Sequence, residues 1–212
     1  MFRYYIIAII AGNLVIGLVN GLIGLPGFSA PVAMLVYVGV SVLFTMLAFG
    51  LDAVIALVVR RLPEGAVDPH RRIYRVAKWE KKLYRKLGIA SWKDKVPDAG
   101  GLLVGFQKSK VLDFHDNAYL LTFMRESVYA EIMHVISAVG GFAILAPCAL
   151  LRLWFPAVAE VRWGLRIALP VAFVNFVLQV LPVMVQRYVR PQLMRVYERN
   201  RQRKQRSTVI RE

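Results

Sequence analysis

The sequence predicts an all-α integral membrane protein, a bundle of four spanning helices with a cytoplasmic amphipathic helix at the membrane interface. Three observations lead there. Four apolar runs, roughly Tyr4 to Leu25, Val32 to Val59, Ala130 to Leu151 and Leu165 to Val185, reach the roughly 20 residues needed to cross a hydrocarbon core. Across the 212 residues, 58% are hydrophobic and 19% charged, with a mean hydropathy of +0.51, more apolar than a soluble domain of this length requires. The formal net charge is nonetheless +15, and it is unevenly placed.

Arg3 precedes the first run as it would in a signal peptide, but the run outlasts an ordinary signal core and lacks a small-residue cleavage site, so it reads as a retained anchor. The second run is long enough to tilt or to project. Of the 28 lysines and arginines, 15 lie between Arg60 and Ser127 and 9 from Arg187 onward, while none lies between Leu25 and Pro31. By the positive-inside rule the long middle segment and both termini are expected to be cytoplasmic. The expected division is an N-terminal transmembrane hairpin (1–59), a cytoplasmic and interfacial segment (60–129), a C-terminal transmembrane hairpin (130–186) and a basic cytoplasmic tail (187–212). The ending "RNRQRKQRSTVIRE" is expected to fray, its charge suiting anionic headgroups. Membrane lipids, and no nucleic acid, are the expected partners. Cys148, the one cysteine, excludes an intramolecular disulfide and a thiolate metal cluster.

Polar residues inside the runs carry the functional information, because a polar side chain in a bilayer tends to face a partner or a cavity. In the first run Asn13, Gly17, Asn20, Gly21 and Gly24 share a face, with Gly17 and Gly21 forming a GxxxG pair suited to a close helix contact. Ser41, Thr45 and Asp52 share a face of the second run, and Asn175, Gln179, Pro182 and Gln186 a face of the fourth, where Pro182 is expected to kink the helix.

The stretch "YAEIMHVIS" places Glu131 and His134 one turn apart at the start of the third run. A neutral His134 can take a proton from a hydroxyl while Glu131 fixes its tautomer and stabilises the imidazolium; the same pair can equally be a structural hydrogen bond. A metal site built on the two would need further ligands such as Glu80, Asp98 or His115, and none is expected. A cleft floored by Glu131, His134, Gln179 and Gln186 would admit long lipid chains sideways. His115, among Asp113, Asp116 and Asn117, reads as part of a surface loop.

Between Arg71 and Gly101 the chain reads "RRIYRVAKWEKKLYRKLGIASWKDKVPDAGG". Trp79, Leu83, Tyr84 and Leu87 interleave with Lys78, Lys81, Lys82, Arg85 and Lys86, the pattern of a basic helix at an anionic surface, and Gly88 is its stop signal. The polar "WKDKVPDAGG" that follows reads as a rigid turn.

Three blocks in this order resemble the glycosyl-4,4'-diaponeurosporenoate acyltransferase family: Trp79, Glu80 and Lys81 leading to Trp92, Lys93, Asp94, Lys95, Pro97 and Asp98; then Ala130, Glu131 and His134; then Pro182, Gln186, Arg187, Tyr188, Arg190 and Pro191. The resemblance runs from about Arg71 to Val196. It departs from the pattern in the N-terminal hairpin and in "AKWEKK", which lacks an expected glycine. It implies a membrane enzyme that moves a fatty acyl chain onto a sugar hydroxyl of a glycosylated C30 carotenoid at the cytoplasmic leaflet, and leaves another glycolipid or lipid-linked sugar open as acceptor.

Under that implication His134 is the candidate general base and Glu131 its orienter. Lys93, Lys95, Arg187 and Arg190 are candidates to hold the phosphate of an acyl-CoA or phospholipid donor or to offset an oxyanion, or are ordinary positive-inside anchors. Asp94 and Asp98 are candidates for sugar hydroxyls or for the lysines of their own turn. Glu80, Trp92, Gln186 and Tyr188 complete the candidate substrate-binding set. No cofactor is implied beyond the acyl donor as co-substrate. A non-catalytic lipid-binding or scaffold protein of a lipid-synthesis complex is the alternative.

Overall fold

Long apolar stretches free of charge satisfy their backbone groups only as helices in a lipid environment, and the chain obeys that constraint. The computed structural model describes residues 2–96, 113–154 and 162–209. Among them no strand occurs. Helix α1 covers Phe2–Ile23, α2 Ala30–Val59, α3 Lys78–Lys86, α4 Ile89–Trp92, α5 Asn117–Gly140, α6 Ala146–Trp154 and α7 Leu169–Val209. Short 3-10 turns at Glu64–Val67, Arg72–Tyr74, Lys93–Lys95 and Gly141–Leu145, and a π turn at Gly164–Ala168, join them. Four helical stretches are long and apolar enough to cross a membrane: Ile6–Ile23, Ala30–Val59, Asn117–Leu150 and Gly164–Arg206.

Two boundaries differ from expectation. The third helix begins at Asn117, well before Ala130, because the Asp116 carboxylate accepts the Ala118 N–H (2.8 Å) and the Asp116 carbonyl accepts the Leu120 N–H (3.0 Å), which starts the first turn. The fourth does not end near Val185 but continues to Val209 with Pro182 and Pro191 inside it, so the ending expected to fray from Arg199 is helical as far as Val209. Its last turns are mostly Arg, Gln and Lys, which favour helix.

Contacts divide the chain into two units. The first comprises Met1–Leu57 and Val135–Val180, the second Val58–His134 and Leu181–Glu212. In the first unit Ala33, Tyr37, Phe44, Ala48, Ile144, Ile167, Ala168, Val171 and Ala172 form the core. The outer surface is apolar too: Leu22 is 76%, Leu35 73% and Val139 70% exposed, as expected where the solvent is lipid.

The polar faces of α1 and α2 meet. Asn13 Oδ1 accepts from Ser41 Oγ (2.5 Å) and Thr45 Oγ1 (3.0 Å), and Asn20 Nδ2 donates to the Arg166 carbonyl (3.0 Å). Asp52 accepts from Gln179 Nε2 (2.6 Å). Cys148 is half-buried beside Gly164.

The GxxxG pair makes the approach of α1 to α2 possible. A Cβ on Gly21 would fall 2.8 Å from Met34 Cα, and one on Gly17 3.0 Å from Val38 Cα, whereas a Cβ on Gly39 meets nothing within 4 Å. Gly21→Ala is therefore expected to destabilise the protein by about 1–3 kcal/mol through overpacking. Gly39→Ala is expected to leave stability unchanged or raise it by up to about 1 kcal/mol, since alanine is the better helix former. Thermal melting in detergent checks the opposite signs.

In the second unit, Leu120, Phe123 and Met124 of α5 pack on Leu193 of α7. The segment after α2 is fastened to α5 by a two-pronged Arg60–Glu126 pair (2.8 and 2.7 Å), by Arg125–Glu64 (2.9 Å) and by the Tyr129 hydroxyl donating to the Leu62 carbonyl (2.9 Å).

The amphipathic helix expected from the sequence forms as α3, and its polarity is inverted relative to a helix on a soluble core. Glu80 and Tyr84 are buried, while Trp79, Leu83 and Leu87, at steps of four, are exposed beside the lysines. Gly88 stops it at φ +61°, a left-handed conformation that glycine adopts without a Cβ clash.

Candidate functional site

The second unit gathers four charged residues, drawn from α3, α5 and α7, into one buried network. Glu80 sits in the first turn of α3, where its Oε1 accepts the Ala77 N–H (2.9 Å) and ties the helix start. That leaves the carboxylate facing inward, where Arg187 Nε meets Oε2 (2.6 Å) and Arg187 Nη2 meets Oε1 (2.9 Å). The same guanidinium reaches Glu131 Oε1 through Nη1 (2.5 Å) and the Arg75 carbonyl through Nη2 (3.3 Å). One arginine therefore joins three stretches of chain.

Arg190, one turn along α7, is 2% exposed and pairs with Glu131 Oε2 (2.5 Å). It also donates to the Ser127 carbonyl (3.1 Å) and to Ser127 Oγ (3.0 and 3.2 Å), and lies 6.0 Å from the centre of the Tyr74 ring. Two carboxylates thus face two guanidiniums, and their formal charges cancel. Buried charges are retained only when paired in this way.

The electrostatics follow from the contacts. Arg187 holds the Glu80 carboxyl down at about 2 against the opposing effect of burial, assisted by the Ala77 N–H and the Tyr84 hydroxyl. Tyr84, buried and donating to Glu80 Oε2 (2.9 Å), is pushed up to about 12, since a phenolate there would be desolvated beside a carboxylate. Because the folded Glu80 lies below its ordinary value of 4.5, its contribution to stability is complete above that pH and is lost as pH falls toward about 2. The acid limb of a melting-temperature profile is expected to show this loss, and Glu80→Gln is expected to flatten it while lowering stability at neutral pH.

Of the candidate residues read from the sequence, Glu80, Glu131, Arg187 and Arg190 come together. His134 lies half-buried one turn beyond Glu131 on α5, within the same unit. Gln186 and Tyr188 flank Arg187, half-buried.

Trp92, Lys93, Asp94 and Lys95 form a separate surface element. Trp92 Nε1 donates to the Leu87 carbonyl (3.0 Å), Lys93 pairs with its neighbour Asp94 (2.7 Å), and Lys95 is exposed. Pro97 and Asp98 lie outside the described residues. Gln179 belongs to the first unit, on Asp52. The His115 N–H donates to Asp113 Oδ1 (2.7 Å) in the turn before α5. Among the described residues no three of His, Cys, Asp and Glu are grouped so as to hold a metal ion.

Sequence reasoning missed Ser127, Tyr84 and, above all, the direct pairing of the arginines with the carboxylates. A signal was present: Glu80 with Tyr84 and Ser127 with Glu131 are four apart, and Arg187 with Arg190 three apart, so each helix presents a polar pair on one face.

A family model described as glycosyl-4,4'-diaponeurosporenoate acyltransferase matches residues 70–199. The chain belongs to that family. The resemblance carried by the three sequence blocks is thereby borne out, and the matched stretch contains every member of the charged network together with His134, while α1 and α2 precede it. No curated protein and no solved structure matches the chain.

Proposed function

We propose that this member of the glycosyl-4,4'-diaponeurosporenoate acyltransferase family moves a fatty acyl chain onto a sugar hydroxyl of a glycosylated lipid, a C30 carotenoid or another glycolipid, at the cytoplasmic leaflet of a bacterial inner membrane. The family match over residues 70–199 carries the reading. The lysine and arginine distribution supports both termini being cytoplasmic.

His134 acts as general base. It takes the proton of the sugar hydroxyl as that oxygen attacks the acyl carbonyl, and returns it to the departing group when the tetrahedral intermediate collapses. Glu131, with one oxygen on Arg187 and the other on Arg190, holds both guanidiniums in place one turn from His134.

Since Arg187 and Arg190 are already neutralised by carboxylates, the exposed Lys95 suits an anionic donor better, with Lys93, paired to Asp94, beside it; Trp92, Asp94 and Asp98 are the candidates for the sugar. Gln186 and Tyr188 flank the network on the substrate's path. The donor is an activated acyl group and serves as co-substrate.

The charge balance of the network also favours a second reading, in which it is purely a structural fastening and the protein is a lipid-binding or scaffold component of a lipid-synthesis complex. Purified protein in micelles, supplied with a fatty acyl thioester or phospholipid and a glycosylated lipid, separates the two. An acceptor heavier by one acyl group, formed without any other protein, rejects the scaffold. Product that forms only when a second enzyme is added rejects the acyltransferase.

A further inference from the structure

The charged network supplies a ruler along α7. On the reading that α3, with Trp79, Leu83 and Leu87 exposed among lysines, lies at the membrane interface, Arg187 of α7 lies at that level too, because it is bound to Glu80 of α3 at 2.6 Å. The apolar, spanning part of α7 precedes Arg187, so the helix beyond it leads away from the bilayer.

Arg199, Gln202, Arg203 and Arg206 form one exposed stripe on that extension, at steps of three and four, flanked by Glu198. At 1.5 Å per residue the stripe begins roughly 18 Å and ends roughly 28 Å beyond Arg187. Even with a tilt of 40°, near the upper limit for spanning helices, its near end stands roughly 14 Å from the interface. The Debye length at physiological salt is about 8 Å, so headgroup charge is largely screened there. The near side of the extension is anchored: Asn200 Nδ2 donates to the Phe114 carbonyl (2.7 Å), and Leu193 packs on α5.

We propose that this stripe docks a soluble acidic carrier protein that delivers the acyl donor as a thioester. Three guanidiniums in line over roughly 10 Å of open helix present a flat basic face, which complements a helix or edge of an acidic protein rather than enclosing a nucleotide. The proposal rests on the acyl-transfer reading and names its donor. In the reaction the sugar oxygen forms an ester bond with the acyl carbon, the carrier's C–S bond breaks, and the hydroxyl proton passes through His134 to the departing thiolate. No oxidant or reductant is needed.

The test uses the full chain in discs of neutral lipid, with palmitoyl acyl carrier protein as probe and no acceptor present. Wild type is expected to bind the carrier in a salt-sensitive manner, and the triple variant Arg199→Gln, Arg203→Gln, Arg206→Gln to bind it at least ~10-fold more weakly, with Lys at all three positions restoring binding. In a separate assay with a glycosylated lipid as acceptor, transfer from palmitoyl-CoA is expected to be the same in all three proteins, and equal melting temperatures report that they are folded.

Equal carrier binding by wild type and the Gln variant, or no binding by wild type, overturns the proposal. So does a Gln variant that loses affinity for phosphatidylglycerol vesicles or palmitoyl-CoA instead, which would assign the stripe to lipid or to a nucleotide. Carrier binding without transfer from any donor would keep the dock and refute the acyl-transfer reading.

Discussion

Cells producing His134→Ala are expected to lose one acylated glycolipid and to accumulate a precursor lighter by one fatty acyl group, with protein levels unchanged. Removing a general base typically slows turnover by about 10²- to 10⁴-fold, so on the time scale of a culture the product should nearly vanish. The melting temperature should stay near that of wild type, because His134 is only half-buried and the ion pairs among Glu80, Glu131, Arg187 and Arg190 do not include it. His134→Gln, which keeps a hydrogen-bonding group but cannot carry the proton, should be as inactive as the alanine variant. Untargeted lipid mass spectrometry of matched cultures reads the outcome. Full turnover in both variants would return His134 to a structural role.

Arg187→Ala is expected to have the largest effect on stability. It strips Glu80 of both its guanidinium bonds and Glu131 of one, leaving buried carboxylates without their counter-charge. Breaking a buried pair from one side costs about 3–5 kcal/mol, which for a chain of this size corresponds to roughly 10 °C in melting temperature. Arg187→Lys should recover little, since an ammonium cannot fork between two carboxylates. Adding Glu80→Gln to Arg187→Ala should recover part of the loss by removing the stranded charge. Thermal unfolding in detergent of the single and double variants tests this coupling. Additive losses would show that the two residues act independently.

Which features were legible depends on the range of the interaction. Helix α3 was readable because its determinants are local: the Trp79, Leu83 and Leu87 spacing, the interleaved lysines, and Gly88 at the stop. The close approach of α1 to α2 was readable from Gly17 and Gly21, because a missing side chain signals what its neighbour needs. The start of α5 was misread because Asn117 to Ser127 mixes polar and apolar residues, and a hydropathy window gives weight to apolar runs but none to the capping bonds of Asp116. The helical tail differs from the fraying expected of so dense a run of charge, because arginine, glutamine and lysine have an intrinsic preference for helix.

The sequence by itself determined that this is an all-helical protein with four stretches able to span a membrane, and it carried the three blocks that place the chain in its acyltransferase family. Composition, period and spacing are properties of neighbouring residues, and those suffice for helices and for motifs. Only the tertiary structure decided that Arg187 and Arg190 close on Glu80 and Glu131 instead of standing free for an anion. Glu80 and Arg187 are separated by more than a hundred positions, and each side chain has several partners of suitable charge along the chain. The choice among them was made by burial, because a desolvated charge is tolerated only where its partner arrives with it.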